Sequence, residues 1–380
     1  MTKNQVKLGI YVSLGLIMSV FTFLNMNFLA PKTVIWERNQ NLEILKDKTV
    51  VTPNAQINNS SIPLSIASSS SGVRLLFFGD LMLDRWVRQL IDKNGLDSIF
   101  DGLSQDEGSF FKNYDFVGAN LEGVVTDKGN HYSPVYANDF AFRPEDVRGL
   151  SKYNFNIFNV ANNHVTDQGV KAEVQSRKKL IELGFANFGC HDRLVGDCSS
   201  LITHTGSTTI SWLGFSQVYG VLDQAAVVQQ ITKAKKLADF VVVNIHWGSE
   251  YQAKFNQTQQ RLGHAMVEAG ADVVIGHHPH VVQGVEKYQN RLIFYSLGNF
   301  IFDQYFSTKT QQGLALGIIL NNEKLAIDIY PLALGRTSPR QIQGVAKQRA
   351  FNELANISAE DDTLRSQIKN GKIVISNIVK

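Results

Sequence analysis

The chain is poor in the features that would mark a nucleic-acid binder or a zinc ribbon. Its 37 basic and 34 acidic residues leave a net charge of only +3. No basic cluster of the kind that tracks a phosphate backbone occurs, which removes nucleic acid from the expected partners. There are only two cysteines, Cys190 and Cys198, and their spacing is not that of a zinc ribbon. In an exported chain a small loop-closing disulfide is preferred over two free thiols. No internal repeat is present, and low complexity is confined to the neighbourhood of Ser68-Ser69-Ser70-Ser71-Gly72.

Charge is also missing from one long stretch, Leu8 to Ala30. As a helix it would span about 35 Å at about 1.5 Å per residue, against a bilayer core of about 30 Å. A secretory signal usually has a shorter apolar region, about 7 to 15 residues, and ends in an Ala-x-Ala-like site. The expectation is therefore a retained, single-pass anchor in the cell membrane: residues 1–7 cytoplasmic, 8–30 across the membrane, the rest extracytoplasmic. Lys32 and Arg38 at the far end weaken any support from the positive-inside rule. Residues 31–72, rich in Ser and Asn, read as a linker that cannot bury much apolar surface.

From 73 to 336, apolar strand-like runs alternate with helical patterns such as Val170–Leu183, Ala225–Ala238 and Thr258–Ala269, which argues for an α/β domain with covered sheets. Ser207–Phe215, Arg291–Ser296, Leu314–Leu320 and Lys324–Pro331 look instead like hairpin strands. A two-sheet sandwich flanked by helices (α-β-β-α) accommodates both kinds. Residues 337–380 read as a C-terminal helical extension, polar over about 343–369, with a short apolar run at Ile373–Ile378.

Six apolar runs break off at polar clusters: Gly79-Asp80, Asn120-Leu121-Glu122, Ala161-Asn162-Asn163-His164, His246-Trp247-Gly248, Gly276-His277-His278-Pro279-His280 and Ser296-Leu297-Gly298-Asn299. Residues just past strand ends line the ligand crevice of an open α/β sheet, so distant positions can converge there. Asp80, Glu122, Asn163, His246, His278 and His280 together offer imidazole, carboxylate and amide oxygen. That mixed set suits one or two divalent ions such as Mn, Zn or Fe rather than Mg or Ca. Taken singly, Asp80 could cap a helix, Asn163 could serve a turn and His246 could be a core histidine. Six candidates at the same kind of strand end shift the balance toward a site.

His164 is placed to protonate a leaving oxygen, with Asp167 three residues on to orient it and Arg85 close enough in sequence to Asp80 to meet an anionic group. Asn120, Trp247, Glu250, Asn299 and Asp303 are candidates for the substrate wall or for support behind the ligands.

These residues resemble the CapA family of capsule and poly-γ-glutamate synthesis proteins, over about residues 73 to 334. The resemblance lies in Gly79-Asp80-Leu81-Met82-Leu83-Asp84-Arg85, Ala119-Asn120-Leu121-Glu122, Ala161–His164, His246-Trp247-Gly248-Ser249-Glu250-Tyr251, Gly276–Val281, and Ser296–Phe300 with Asp303, all in the family's order. It implies a calcineurin-like metallophosphatase fold, an extracytoplasmic setting, and a role in making, exporting or anchoring a surface polymer. By motif, Asp80 and His280 would serve a first metal, Glu122 would bridge, and Asn163, His246 and His278 would serve a second. His164 would be the acid, and His277 falls at the variable position. Metallophosphatases carry Asp-x-His where this chain has Asp80-Leu81-Met82. That leaves the first metal without an imidazole and favours a single ion or a weakly filled second site. Gly123-Val124-Val125 also stands where many members have a proline.

Two functions follow from this reading. One is a metal-dependent hydrolase or transferase acting on a phosphoester or an amide-linked polymer. The other is a non-catalytic accessory subunit that binds the acidic polymer, through cations such as Arg85, Arg143 and Lys254, and docks on membrane synthase subunits.

Overall fold

The computed structural model describes residues 72–104, 109–127, 139–321 and 323–376. The expected anchor at 8–30 and the linker up to residue 71 lie outside them. Among the described residues no helix is long and apolar enough to cross a membrane.

Along the chain, β1 (Val73–Leu81) leads into α1 (Arg85–Asn94) and the short α2 (Asp97–Phe100). Then come β2 (Phe116–Leu121), β3 (Val124–Val125), β4 (Ala141–Phe142), α3 (Pro144–Gly149), β5 (Phe155–Asn159), α4 (Val170–Glu182) and β6 (Ala186–Phe188). The second half runs β7 (Ser200–Thr205), β8 (Thr208–Gln217), α5 (Gln224–Lys235), β9 (Phe240–Trp247), α6 (Gln257–Glu268) and β10 (Val273–His277). It continues through β11 (Val285–Tyr288), β12 (Arg291–Phe294), β13 (Asn299–Ile301), β14 (Gln312–Leu320), β15 (Lys324–Ala333) and β16 (Arg340–Gln341). The described chain ends with α7 (Gly344–Ile357), α8 (Asp362–Lys369) and β17 (Lys372–Ser376).

One sheet has the order β16-β15-β14-β1-β2-β5-β6, with β13 beside the end of β1 and β17 on β15; the other has the order β11-β12-β10-β9-β8-β7. The two share an inner core in which Leu75, Phe77, Phe116 and Ile157 of the first meet Trp212, Val242, Val273 and Ile275 of the second. Leu76, Phe78 and Val117 face the other way, onto Val87 and Ile91 of α1 and Leu180 of α4. Val241, Val243 and Val274 pack on Val227 and Ile231 of α5 and Leu262 and Met266 of α6. The layers are helix, sheet, sheet, helix, the expected α-β-β-α sandwich. The hairpin strands fall as expected too: β14 and β15 pair antiparallel over their whole length, and β12 pairs antiparallel with β11.

Strand parity decides what reaches the inner face. On β1, Phe77 stands opposite Gly118 but Asp80 stands opposite Asn120, so three steps on β1 match two on β2. One extra residue bulges at Phe78-Gly79 and reverses the pleat, which carries Asp80 onto the same inner face as Phe77. Glycine is required there because a Cβ on Gly79 would lie 1.9 Å from the carbonyl oxygen of Gly298. β9 needs no such device. Phe240 and Val242 point inward and Val241, Val243, Ile245 and Trp247 outward, so Asn244 and His246 follow the inward row.

Residues 337–376 close one end of the sandwich. The polar helical stretch is two helices, because Ser358 and Ala359 leave the helix to pair with β11: Ser358 Oγ accepts from Val285 N at 2.9 Å and Ala359 N donates to Val285 O at 3.0 Å. Asp361 then caps α8 by accepting from Leu364 N. β17 adds an edge strand on β15, and Phe351, Leu354, Ile368 and Ile373 join the inner core. Removing a buried phenylalanine costs about 3–5 kcal/mol. Phe351→Ala should therefore lower the unfolding free energy by about that much in urea titration; a loss under about 1 kcal/mol would show that α7 is a detachable appendage.

Candidate metal centre

The inward-pointing residues at the ends of β1, β2, β5, β9 and β10 converge on one buried locus. Asp80 and Glu122 are both wholly buried, as are Asn120 and His246. Asp80 Oδ1 accepts from Asn120 Nδ2 at 2.8 Å, and its Oδ2 accepts from His278 N at 3.2 Å and stands 3.3 Å from His280 Nδ1. Burial pushes Asp80 up, but the imidazoles of His277 and His280 beside it outweigh that and hold the carboxyl well below its usual range. For Glu122 burial wins. Against the pull of His280, and with the charges of Asp80 and Glu250 adding to it, the carboxyl lies well above its usual range.

The histidines are fixed from several sides. His246 Nε2 lies 2.8 Å from Asn163 Oδ1 and 3.1 Å from His278 Nδ1, and its Nδ1 lies 3.2 Å from Asn120 Nδ2. Burial, then the neighbouring His278, hold His246 well below the usual histidine range. His280 Nδ1 meets Asn299 Oδ1 at 2.9 Å. Burial alone would lower His280, yet Glu122 and Asp80 push it up to about 9. Both His278 (φ 94°) and His280 (φ 56°) occupy the left-handed region around Pro279, a strain of about 1–3 kcal/mol each that persists only where surrounding structure imposes it.

Glu122 Oε1 is buried and accepts no hydrogen bond. It faces three imidazole nitrogens, His280 Nε2 at 3.6 Å, His164 Nε2 at 3.8 Å and His246 Nε2 at 3.9 Å. An unsatisfied carboxylate oxygen ringed by imidazoles in a buried pocket is the arrangement a cation relieves. The nitrogen and oxygen donor set fits Zn, Mn or Fe. Two groups of ligand atoms are close enough to share an ion, Asp80, Glu122 and His246 on one side and Glu250, His278 and His280 on the other.

His164 borders the pocket. Its Nδ1 lies 2.7 Å from Asp167 Oδ2, its backbone N–H donates to Asn162 Oδ1 at 3.0 Å, and its ring stacks on Phe140 with centroids 4.2 Å apart. Asp167 orients it from a turn that precedes α4, and also accepts from Phe140 N at 2.7 Å.

Several sequence candidates take other roles. Trp247 is not a substrate wall: pleat parity turns it away from His246 into the core under α6, where Nε1 donates to Tyr295 O at 2.9 Å. Arg85 is paired with Asp303 and lies over the rings of Phe140 and Phe302 at 4.8 and 5.6 Å. Asp303 thereby holds Arg85, and it accepts from Trp86 N at 3.2 Å. Asn120 and Asn299 sit behind the ligands, with Asn299 Nδ2 donating to Thr310 O at 3.1 Å. Glu250 stands on the rim, its Oε1 4.0 Å from His280 Nε2.

Sequence reasoning passed over two residues. Tyr219 lies just past the end of β8, and its hydroxyl is 3.2 Å from Asn163 Nδ2; the strand-end rule that found the others would have found it had β8 been extended to Gln217. His277, assigned to a variable position, is wholly buried with Nδ1 3.5 Å from Asp80 Oδ1. Its parity with Val273 and Ile275 was the available signal. The expected disulfide joins Cys190 to Cys198.

A buried imidazole–carboxylate–amide centre at the strand ends of a two-sheet α/β sandwich defines the class of protein. The chain belongs to the bacterial capsule synthesis protein family PGA_cap, whose model matches residues 74–304. It is 31% identical over 329 residues to the capsule biosynthesis protein CapA of Bacillus anthracis, covering 80% of this chain and 79% of that one. It is also 31% identical over 314 residues to the PGA biosynthesis protein CapA of Bacillus subtilis, covering 78% and 80%. A solved structure of a novel phosphatase from Mycoplasma pneumoniae aligns with a TM-score of 0.42 at 14% identity, covering 72% of this chain and 91% of that one.

Burial and the adjacent His280 hold His278 down to about 3, against an ordinary value of 6.5. A folded-state value below the unfolded one means the neutral ring contributes stability that is fully present above pH 6.5 and is lost as pH falls toward 3. In chelator-treated protein, His278→Gln should flatten the acid limb of unfolding free energy against pH. A limb parallel to that of the wild type would show that His278 is not held neutral.

Proposed function

We propose that the protein is a metal-dependent hydrolase or transferase of surface-polymer synthesis, of the capsule or poly-γ-glutamate kind, acting on a phosphoester or an amide-linked polymer. The observation that carries this reading is the buried Glu122 Oε1, without a hydrogen-bond donor and facing His280, His164 and His246 nitrogens at 3.6–3.9 Å. Asp80, Glu122, Asn163, His246, His278 and His280 would hold one or two divalent ions, with Asn120 and Asn299 orienting those ligands from behind. When bound, such an ion polarises the scissile group and activates water as the nucleophile.

The chain's own residues supply the rest. His164 keeps its Nδ1 on Asp167 and its ring on Phe140, so its Nε2 faces the centre and is placed to deliver a proton to the departing atom. Tyr219, Glu250 and Tyr251 rim the opening, and Tyr251 is itself held by donating its backbone N–H to Pro279 O at 2.8 Å. The uncharged stretch Leu8–Ala30 would anchor the chain in the cell membrane. The Cys190–Cys198 disulfide suits an oxidising, extracytoplasmic compartment.

An accessory subunit that binds an acidic polymer through cations has less support. Arg85 is engaged by Asp303, and Arg143 by Asp92 at 2.7 Å and Asp146 at 2.6 Å. At Arg85 and Arg143 a polyanion would therefore have to compete with carboxylates already in place. Synthase subunits remain proposed partners under either reading.

The test begins with elemental analysis of the full-length protein in detergent, alone and as the His278→Ala, His280→Ala double variant. The wild type should carry a transition metal that the double variant loses. Hydrolysis of phosphoester or γ-glutamyl substrates should vanish with chelator, and His164→Ala should lower kcat by about 10²–10⁴. A folded wild type that takes up no metal from Zn²⁺ or Mn²⁺ would hand the weight to the accessory role.

A further inference from the structure

The first strand supplies Asp80 but no imidazole: Met82, two residues on, points into the core beneath α1. An imidazole nevertheless reaches Asp80 from the opposite sheet. His277 closes β10 directly opposite His246 of β9 and is wholly buried. Its Nδ1 stands 3.5 Å from Asp80 Oδ1, and its Nε2 stands 3.0 Å from the side-chain oxygen of Asn244, also wholly buried.

Two nitrogens in this trio, His277 Nδ1 and Asn244 Nδ2, have no hydrogen-bond partner. One adjustment engages Asn244 Nδ2 and leaves a ring proton for His277 Nδ1. The two ends of a carboxamide have the same outline, so with Asn244 turned end for end its N–H donates to His277 Nε2. A ring proton is then left for Nδ1, the nitrogen 3.5 Å from Asp80 Oδ1. In the opposite orientation a neutral ring would turn the Nδ1 lone pair toward a buried carboxylate oxygen, which is unfavourable.

We propose that His277 is a positioning residue for Asp80, oriented by Asn244. With Oδ1 held by Asn120 and His277, the carboxylate is fixed with Oδ2 turned toward His280. The inference rests on the metal-binding reading above. It extends that reading to two residues, His277 and Asn244, outside the six proposed ligands.

The experiment is a chelator-competition measurement of Zn²⁺ affinity on full-length protein, with melting of the metal-free form followed in parallel. Loss of a partner behind a metal ligand typically weakens binding about 10–100-fold, and His277→Phe should fall in that range. His277→Asn, whose side-chain N–H can reach toward Asp80 much as Nδ1–H does, should recover most of the loss. Asn244→Leu, on the far side of the ring from Asp80, should weaken binding in the same direction and serves as the test should His277→Phe not fold. Wild-type affinity in folded His277→Phe or Asn244→Leu overturns this inference alone. A wild type that binds no Zn²⁺ overturns the metal reading, and this inference with it.

Discussion

Two carboxylates, Asp80 and Glu122, are buried side by side, and their hydrogen-bond and close ionic partners among the described residues are histidines and asparagines rather than arginine or lysine. Burying such groups is costly unless they are paired or coordinate a cation. The local structure answers that cost in two different ways. Asp80 receives donors on both oxygens and stays ionised. Glu122 receives almost none and is pushed toward its protonated form by its own burial and by the charges beside it. The asymmetry leaves one carboxylate preorganised and the other short of positive charge, which a fully satisfied polar core would not do.

That arrangement depends on parity. Each strand contributes alternate residues to the inner face, and at the strand ends the apolar inner rows hand over to polar ones: Phe116 and Gly118 to Asn120, Ile157 to Asn159, Val242 to Asn244 and His246, Ile275 to His277. Asn159 Nδ2 and Asn162 Nδ2 both donate to Asn120 Oδ1, at 3.0 and 3.3 Å, so the amides form a connected layer between the hydrophobic core and the charged centre. β1 needs a bulge to join this pattern, and that bulge needs Gly79 packed on Gly298; β5 slips its register on β2 just ahead of Ile157. A side chain at Gly79 would act on the site through backbone register alone, by turning Asp80 back toward the helices.

Much of this was legible because strand ends and their polar clusters are local. Apolar runs marked β1, β5, β9 and β10, the helices α4, α5 and α6 lie within a few residues of their apolar patterns, and the six clusters do meet. What escaped was whatever depends on non-local pairing. Trp247 follows His246 directly, and adjacency in sequence suggested adjacency in space, although opposite pleat faces separate them. Arg85 looked available for an anion because Asp303, more than two hundred positions away, is invisible to local pattern. His277 looked variable because a motif records which residue types recur, whereas the contact that gives His277 a role is made across the sandwich to Asp80. The break between α7 and α8 was hidden for the same reason, since its cause is a pairing with β11.

The disulfide shows how stability far from the chemistry reaches it. Cys190 and Cys198 close a loop whose Asp192 accepts from Ser216 Oγ at 2.7 Å, Val218 N at 2.8 Å and Tyr219 N at 3.0 Å. Those three bonds set the turn after β8, and the turn carries the Tyr219 hydroxyl to Asn163, whose other side-chain atom holds His246. On the inner side the loop is tied to α4, with Arg177 donating to the carbonyl of Gly189 and His191 Nδ1 2.7 Å from Glu173 Oε2. A short covalent loop restricts the unfolded chain modestly; its larger effect here is to keep Asp192 aimed at three donors at once. Tyr219 is exposed as it is; without that aim its turn would be loose, and the hydroxyl contact with Asn163 would lose its fixed position.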